Sequence, residues 1–158
     1  MLRPLMIALV FASGPAVAQS VVFGGIKADT SLPVEVAADH LTVDQGDGTA
    51  LFTGNVVIGQ GEMRLSAERV TVEYAQGDRT RIRSLHAKGN VTLVSGPDAA
   101  EGREAVYDVE SGHVTLTGDV VLVQGENVLT GDRMTADLAE GTAQVDGRVR
   151  SILQPDNN

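Results

Sequence analysis

The residues able to do chemistry are few, and none is arranged to do it. Cysteine is absent, which excludes a thiolate metal site, a cysteine nucleophile and a disulfide framework. The three histidines, His40, His86 and His113, occupy unrelated places along the chain, and no pair has metal-ligand spacing. They read as surface or turn side chains. No Gly-x-Ser-x-Gly elbow presents a serine nucleophile. Asp44-Gln45-Gly46-Asp47-Gly48 superficially suggests a calcium loop, but it lacks the alternating oxygen ligands and the distal bidentate Glu of an EF-hand. No motif nominates a catalytic pair of carboxylates. The expectation is a protein that is not an enzyme and uses no metal or cofactor.

One charged constellation remains. Asp78-Arg79-Thr80-Arg81-Ile82-Arg83 and Lys88 form the only basic cluster in a chain of net charge −9. Arginines so gathered could hold the phosphate of an anionic ligand or partner. They could equally be the solvated edge of a lengthened hairpin, where charge discourages aggregation.

The elements that carry these groups follow from composition. An acidic chain lacks the basic face of a nucleic-acid binder, so no nucleic-acid partner is expected. With Phe 3, Tyr 2 and no Trp, platforms for stacking bases or sugars are also unexpected. Hydrophobic residues still make up 42%, which excludes disorder throughout. The apolar content is aliphatic, with 22 Val, and the 18 Gly point to strands broken by turns.

Residues 1–18 read as an export signal. Arg3 gives a positive start, Leu5 to Ala12 is an uninterrupted apolar run, and Ala16-Val17-Ala18 supplies small residues for cleavage between Ala18 and Gln19. The run is shorter than the roughly 20 residues that span a bilayer. The expected mature domain is 19–158, with an ordered core over about 31–155, outside the cytoplasm.

That domain repeats itself. Gly54-Asn55-Val56-Val57-Ile58, Gly89-Asn90-Val91-Thr92-Leu93 and Gly118-Asp119-Val120-Val121-Leu122 align without gaps, and a weaker fourth begins at Gly147-Arg148-Val149. Their glycines are 35, 29 and 29 residues apart, and the six extra residues lie between Gly77 and Gly89. Upstream of each stands an acid-x-x-x-Gly segment, Asp44 to Gly48, Glu73 to Gly77, Asp108 to Gly112 and Asp137 to Gly141, which reads as a hairpin turn. About four units of ~29 residues organise the chain.

Inside each unit the pattern has period two, as in half-buried strands. Phe52, Val56 and Ile58 share a face, as do Leu116, Val120 and Leu122, while Leu65, Val70 and Val72 mark two further short strands. About three strands per unit give about a dozen in an all-β domain. No helix is expected outside the signal, and Ala99–Tyr107 sits at a strand position. Val57, Val121 and Val123 fall on the opposite parity, so part of the outer face is expected to be covered or paired. Parity slips between Val36 and Leu41 and near Ile82–Leu85, which bulges would explain.

The order of these segments resembles the OstA-like family. Pro33-Val34-Glu35-Val36-Ala37-Ala38-Asp39, Leu41-Thr42-Val43-Asp44, Phe52-Thr53-Gly54-Asn55-Val56-Val57-Ile58, Gln60-Gly61 and Ala67-Glu68-Arg69-Val70 follow its opening. Leu116-Thr117-Gly118-Asp119-Val120 and Gly131-Asp132-Arg133-Met134 repeat it, and Val149 to Pro155 close it. The resemblance, closest to the periplasmic bridge proteins of lipopolysaccharide export, implies an open, twisted antiparallel β-jelly roll with an apolar groove. It implies lipopolysaccharide as ligand, with the acyl chains of lipid A along the groove and sugars outside. It implies partners in homologous jelly-roll domains of an inner-membrane transporter complex and an outer-membrane translocon, or head-to-tail copies of the same chain.

A fatty chain needs a dry aliphatic trough, since burying it gains about 0.8 kcal/mol per CH₂. The expected inner face is Val34, Val36, Leu41, Val43, Phe52, Val56, Ile58, Leu65, Val70, Val72, Leu85, Val91, Leu93, Leu116, Val120, Leu122, Leu129 and Met134. The same pattern also describes an ordinary packed core. Val34, Glu35 and Val36 at one end, and Val149, Arg150, Ser151, Ile152 and Leu153 at the other, are the expected docking edges, because an open strand offers unpaired backbone groups to a homologous edge. Two alternatives stand beside this reading. A membrane-anchored sister subunit of the same export system would keep its N-terminal helix, and a secreted β-repeat adhesin would bind no lipid.

Overall fold

The computed structural model describes residues 26–155, and all ten strands there belong to one antiparallel sheet. The strands are β1 (Glu35–Ala37), β2 (His40–Asp44), β3 (Thr49–Gln60), β4 (Met63–Ala75), β5 (Asp78–Ser95), β6 (Asp98–Asp108), β7 (His113–Gln124), β8 (Asn127–Asp137), β9 (Thr142–Asp146) and β10 (Arg150–Ile152). Strands β3 to β8 follow one another as hairpins. Both β1 and β2 pair with β3 at one edge, and both β9 and β10 pair with β8 at the other. The fold is all-β and open, as expected. The count is ten strands rather than a dozen, because Leu65, Val70 and Val72 share the single strand β4.

The reason is a corner that every long strand turns. Gly54-Asn55, Gly89-Asn90, Gly118-Asp119 and Gly147-Arg148 all have positive φ at both residues. In β3, β5 and β7 each such pair stands opposite a single residue of the next strand, and the register jumps from Thr53 to Val56, Lys88 to Val91 and Thr117 to Val120. Two residues against one is a bulge, and a row of bulges bends a sheet. The odd strands keep their inward parity through the corner, as Phe52 and Val56 show. The even strands shift it by one, from Ala67 to Val70 and from Gly131 to Met134. That shift makes β4 read as two strands.

The glycine is required at each corner. A Cβ on Gly54 would lie 2.7 Å from Asp39 Oδ2, and one on Gly147 would lie 2.5 Å from Asp132 Oδ2. The side chain that crowds the glycine also clamps its neighbour: Asn55 Nδ2 donates to Asp39 Oδ2 at 3.0 Å, and Asn90 Nδ2 to Glu68 Oε1 at 2.7 Å. Arg103 pairs with Asp119, and Arg148 Nη2 donates to Asp132 Oδ1 at 2.6 Å.

Folded along this line, the sheet becomes two half-sheets whose inward rows meet in one core. At Asp44, Asp108 and Asp137 the carboxylate accepts a backbone N–H three residues on, from Asp47, Ser111 and Glu140. This local bond is why an Asp stands there. Glu73 does not turn the chain as expected; β4 continues through Ala75, and Gln76-Gly77 makes the turn. The parity slips are also located: β1 and β2 are separated at Ala38-Asp39, and a register shift opposes Glu73-Tyr74 to Ser84 and Ile82.

On the side opposite the corners, Ile26–Leu32 runs across the ends of both half-sheets. Ser95 Oγ donates to Lys27 O at 2.6 Å and Ala28 N to Leu138 O at 2.9 Å. Gln60 Nε2 donates to Leu32 O at 2.9 Å. Ile26 is 1% exposed, so packed residues begin five positions before the expected start at 31. The export signal and its Ala18–Gln19 cleavage point lie outside the described residues.

Candidate functional site

The inner face is built row by row from cross-strand partners. Ile58 pairs with Leu65, Leu65 with Leu93, Leu93 with Ala100, Ala100 with Leu122 and Leu122 with Leu129, one aliphatic row from β3 to β8. Beyond the corner, Phe52, Val70, Ala87, Ala105, Leu116 and Met134 form the matching row of the other half-sheet. Of the expected inner residues, Val56, Ile58, Leu65, Val70, Val72, Leu85, Val91, Leu93, Leu116, Val120, Leu122, Leu129 and Met134 are buried together. Val34, Val36 and Phe52 are partly buried against them.

Leu41 and Val43 depart from the expectation of a covered inner face. They pair with Phe52 and Ala50, so they share the inward parity, yet they are 55% and 60% exposed. Strand β2 is an edge strand, and no further strand shields it. The aliphatic rows therefore reach solvent at this end. At the other end Val149, Ile152 and Leu153 are exposed. Ile152 pairs with Val128 on the outer face, where Val128, Val123, Ala99 and Val94 continue an apolar row. The exposed Val57 and the half-buried Val121 are also on this outer face.

Sequence reasoning missed several inward residues. Met63, Val114, Leu138, Tyr107 and a set of alanines (Ala50, Ala67, Ala87, Ala100, Ala105, Ala136) are buried in the core. Among the described residues Tyr107 is the fully buried aromatic, while Phe52, on the expected inner face, is partly buried. Its hydroxyl donates to Gln60 Oε1 at 2.5 Å, joining β6 of one half-sheet to β3 of the other. Burial pushes the Tyr107 phenol above its ordinary pKa. Its place just before Asp108 matches that of Val43 and Val72 before Asp44 and Glu73, which was the available signal.

Among the described residues the buried polar side chains are Gln60, Ser95 and Asp98, all at strand ends; Gln60 and Ser95 bond to Ile26–Leu32, and Asp98 pairs with Ser95 across the β5–β6 hairpin. Asp98 accepts from Gln124 Nε2 at 3.4 Å on one oxygen, while its Oδ1 has no hydrogen-bond partner among the described residues. Burial pushes this carboxyl above the usual range.

The basic cluster is paired on the protein itself. Strand β5 is 18 residues long, so the insertion is a lengthened hairpin. Arg79 Nη2 donates to Gln45 O at 3.0 Å, Arg81 lies 3.4 Å from Glu110, Arg83 pairs with Glu73, and Lys88 lies 3.9 Å from Glu104. Arg83 and the Ser84 hydroxyl hold the Glu73 carboxyl below its ordinary pKa. This geometry favours the solvated-edge reading over phosphate binding. Among the described residues no group of three or more His, Asp or Glu side chains could hold a metal ion. No helix among them is long and apolar enough to cross a membrane.

Comparison with known proteins gives this chain its relatives. The profile of the family described as LptA/(LptD N-terminal domain) LPS transport protein matches residues 35–142, strands β1 to the start of β9. The chain belongs to that family. An uncharacterized protein of Rhizobium meliloti (strain 1021) is 30% identical to this LptA/LptD N-terminal-type chain over 141 residues, covering 83% of this chain and 76% of its relative. The lipopolysaccharide export system protein LptA of Escherichia coli (strain K12) is 26% identical over 161 residues, 96% of this chain and 86% of that protein. The fold matches the crystal structure of LptH, the LptA homologous periplasmic component of the lipopolysaccharide transport device of Pseudomonas aeruginosa. That match has a TM-score of 0.71 and 21% identity, and covers 81% of this chain and 99% of that one.

Proposed function

We propose that this chain is a periplasmic carrier of lipopolysaccharide, holding acyl chains between its half-sheets while the sugars stay outside. The observation that carries the reading is the run of inward aliphatic rows from one edge strand to the other, with apolar side chains left exposed at both ends. A row of CH₂ and CH₃ groups asks nothing of a fatty chain but burial, and each methylene gains about 0.8 kcal/mol there. The homologues named as lipopolysaccharide export proteins support the same reading.

Residues 1–18 direct export and are removed after Ala18. The edge strands β1 and β10, with Val34–Val36 and Val149–Leu153, dock homologous domains by strand addition, giving a continuous trough from an inner-membrane transporter to an outer-membrane translocon. The net charge, −9 for the full sequence and −10 once Arg3 is removed with residues 1–18, opposes unspecific association of such edges.

Binding of fluorescently labelled lipopolysaccharide to the purified chain tests this. Saturable binding displaced by lipid A, and not by the polysaccharide stripped of lipid, is the expected result. Displacement by the stripped polysaccharide would place recognition in the sugars and overturn the acyl-chain reading.

A further inference from the structure

The interior that is to receive acyl chains is already full. Ile58, Leu93, Leu116 and Met134 are all completely buried. Protein cores pack at the density of organic crystals, so a chain of methylenes has no room unless the walls part. The corner side cannot part, because β3 to β8 each pass through it as covalent chain and remain paired by ladder bonds on both sides of it. The opposite seam is different. There the half-sheets are joined by the Tyr107–Gln60 hydrogen bond and by the segment Ile26–Leu32, which lies in no strand.

This segment is fastened mainly by side chains. Ser95 donates to Lys27 O, and Gln60 Nε2 to Thr30 O at 3.3 Å and to Leu32 O. Among the described residues one backbone–backbone hydrogen bond, Ala28 N to Leu138 O, ties it to the rest of the molecule. Among the described residues the buried polar side chains are Gln60 and Ser95, which hold this segment, and Asp98, which pairs with Ser95, while the rest of the buried set is apolar apart from the Tyr107 hydroxyl. Gln60 and Ser95 can exchange the segment's carbonyls for water or for the polar part of an amphiphile, and an entering acyl chain takes the place of the buried Ile26 and Ala28 side chains. An aliphatic seam would gain nothing from such an exchange.

We propose that Ile26–Leu32 is a lid over the side entry of the trough, latched by Gln60, Ser95 and Tyr107, and that it leaves the seam when an acyl chain enters. The inference rests on the lipid-carrier reading and adds its route of loading: chains pass in between the half-sheets from the side, and the head group comes to rest at the polar seam.

A disulfide tests it, because the chain has no cysteine of its own. A Cβ on Gly141 would lie 3.3 Å from Lys27 Cβ, close to the roughly 3.5–4.5 Å of bridged cysteines. In the Lys27→Cys/Gly141→Cys variant, oxidation is expected to reduce capture of labelled lipopolysaccharide at least about tenfold, and reduction to restore it. Equal capture by the oxidised and reduced forms would overturn the lid and leave the carrier reading standing. Absence of capture by the reduced and unsubstituted chains alike would overturn both. Hydrogen exchange on the unsubstituted chain gives a second measure. Lipopolysaccharide is expected to speed exchange at the Ala28 amide while Ile58 and Leu116 stay protected, and stronger protection at Ala28 would contradict the lid.

Discussion

Single residues in this protein answer to two different demands, backbone conformation at the corners and polar satisfaction at the seam. Gly54 has φ +80 and its missing Cβ makes room for the Asp39 carboxylate, whereas Gly125 has φ +57 with nothing within 4 Å of where a Cβ would be. Gly54→Ala is expected to cost about 2–3 kcal/mol in denaturant unfolding, from strain and displaced Asp39 together, and Gly125→Ala about 1 kcal/mol from the left-handed backbone alone. Equal losses would show that the corner contact carries no weight. Asp98 presents the second demand. Its raised folded-state pKa means that the unfolded chain gives up its proton first as pH rises. Stability is therefore lost as pH climbs from the unfolded value near 3.9 through the folded one, and the full penalty persists above it. Asp98→Asn is expected to raise the thermal midpoint at pH 7, with the gain vanishing below about pH 3.5. An unchanged or lower midpoint at pH 7 would contradict an ionised, under-satisfied carboxylate there.

At the scale of elements, the edges and the seam govern what can move. Strand β1 has three residues and pairs only with β3, and its Val36 is partly buried against the end of the core. Val36→Asp is expected to leave the circular-dichroism spectrum and the cooperative unfolding in place, costing about 1–2 kcal/mol, while abolishing lipid transfer or docking. Normal transfer by a folded variant would remove β1 from the mechanism. Tyr107→Phe deletes the bond across the seam and strands Gln60 Oε1, so a loss of about 1–3 kcal/mol is expected. The inward residues of β3 and β7 were legible from alternation because their two-residue corners preserve parity. Strand β4 was not, because its one-residue shift at Glu68 imitates a strand boundary. The corners themselves were hidden. Gly-Asn usually announces a two-residue hairpin, and nothing local distinguishes a bend in a continuing strand. In Ile26–Leu32 the alternation spans only Ile26 to Asp29, too short to mark a strand, and its packing depends on distant partners such as Leu138 and Ser95 that the sequence does not bring together.

For the whole molecule, one folded sheet combines an aliphatic interior with two open edges. The corner line holds the two half-sheets together, the seam opposite it is closed by a short segment, and the two edges leave strands β1–β2 and β9–β10 unpaired on their outer sides. Such a body can take an amphiphile from the side and pass its tail along the rows toward either end. The repeat is the economical way to make it, since each Gly-x corner and its clamping side chain bends one more strand at the same height. The central claim is that lipid occupies the space between the half-sheets, and Val56 and Val57 separate inside from outside within two adjacent residues of β3. Photo-crosslinking in living cells, from a photoreactive residue at position 56 and in parallel at position 57, tests that claim most directly. Lipopolysaccharide adducts at 56 and none at 57 are the expected result; adducts at 57 with none at 56 would contradict it.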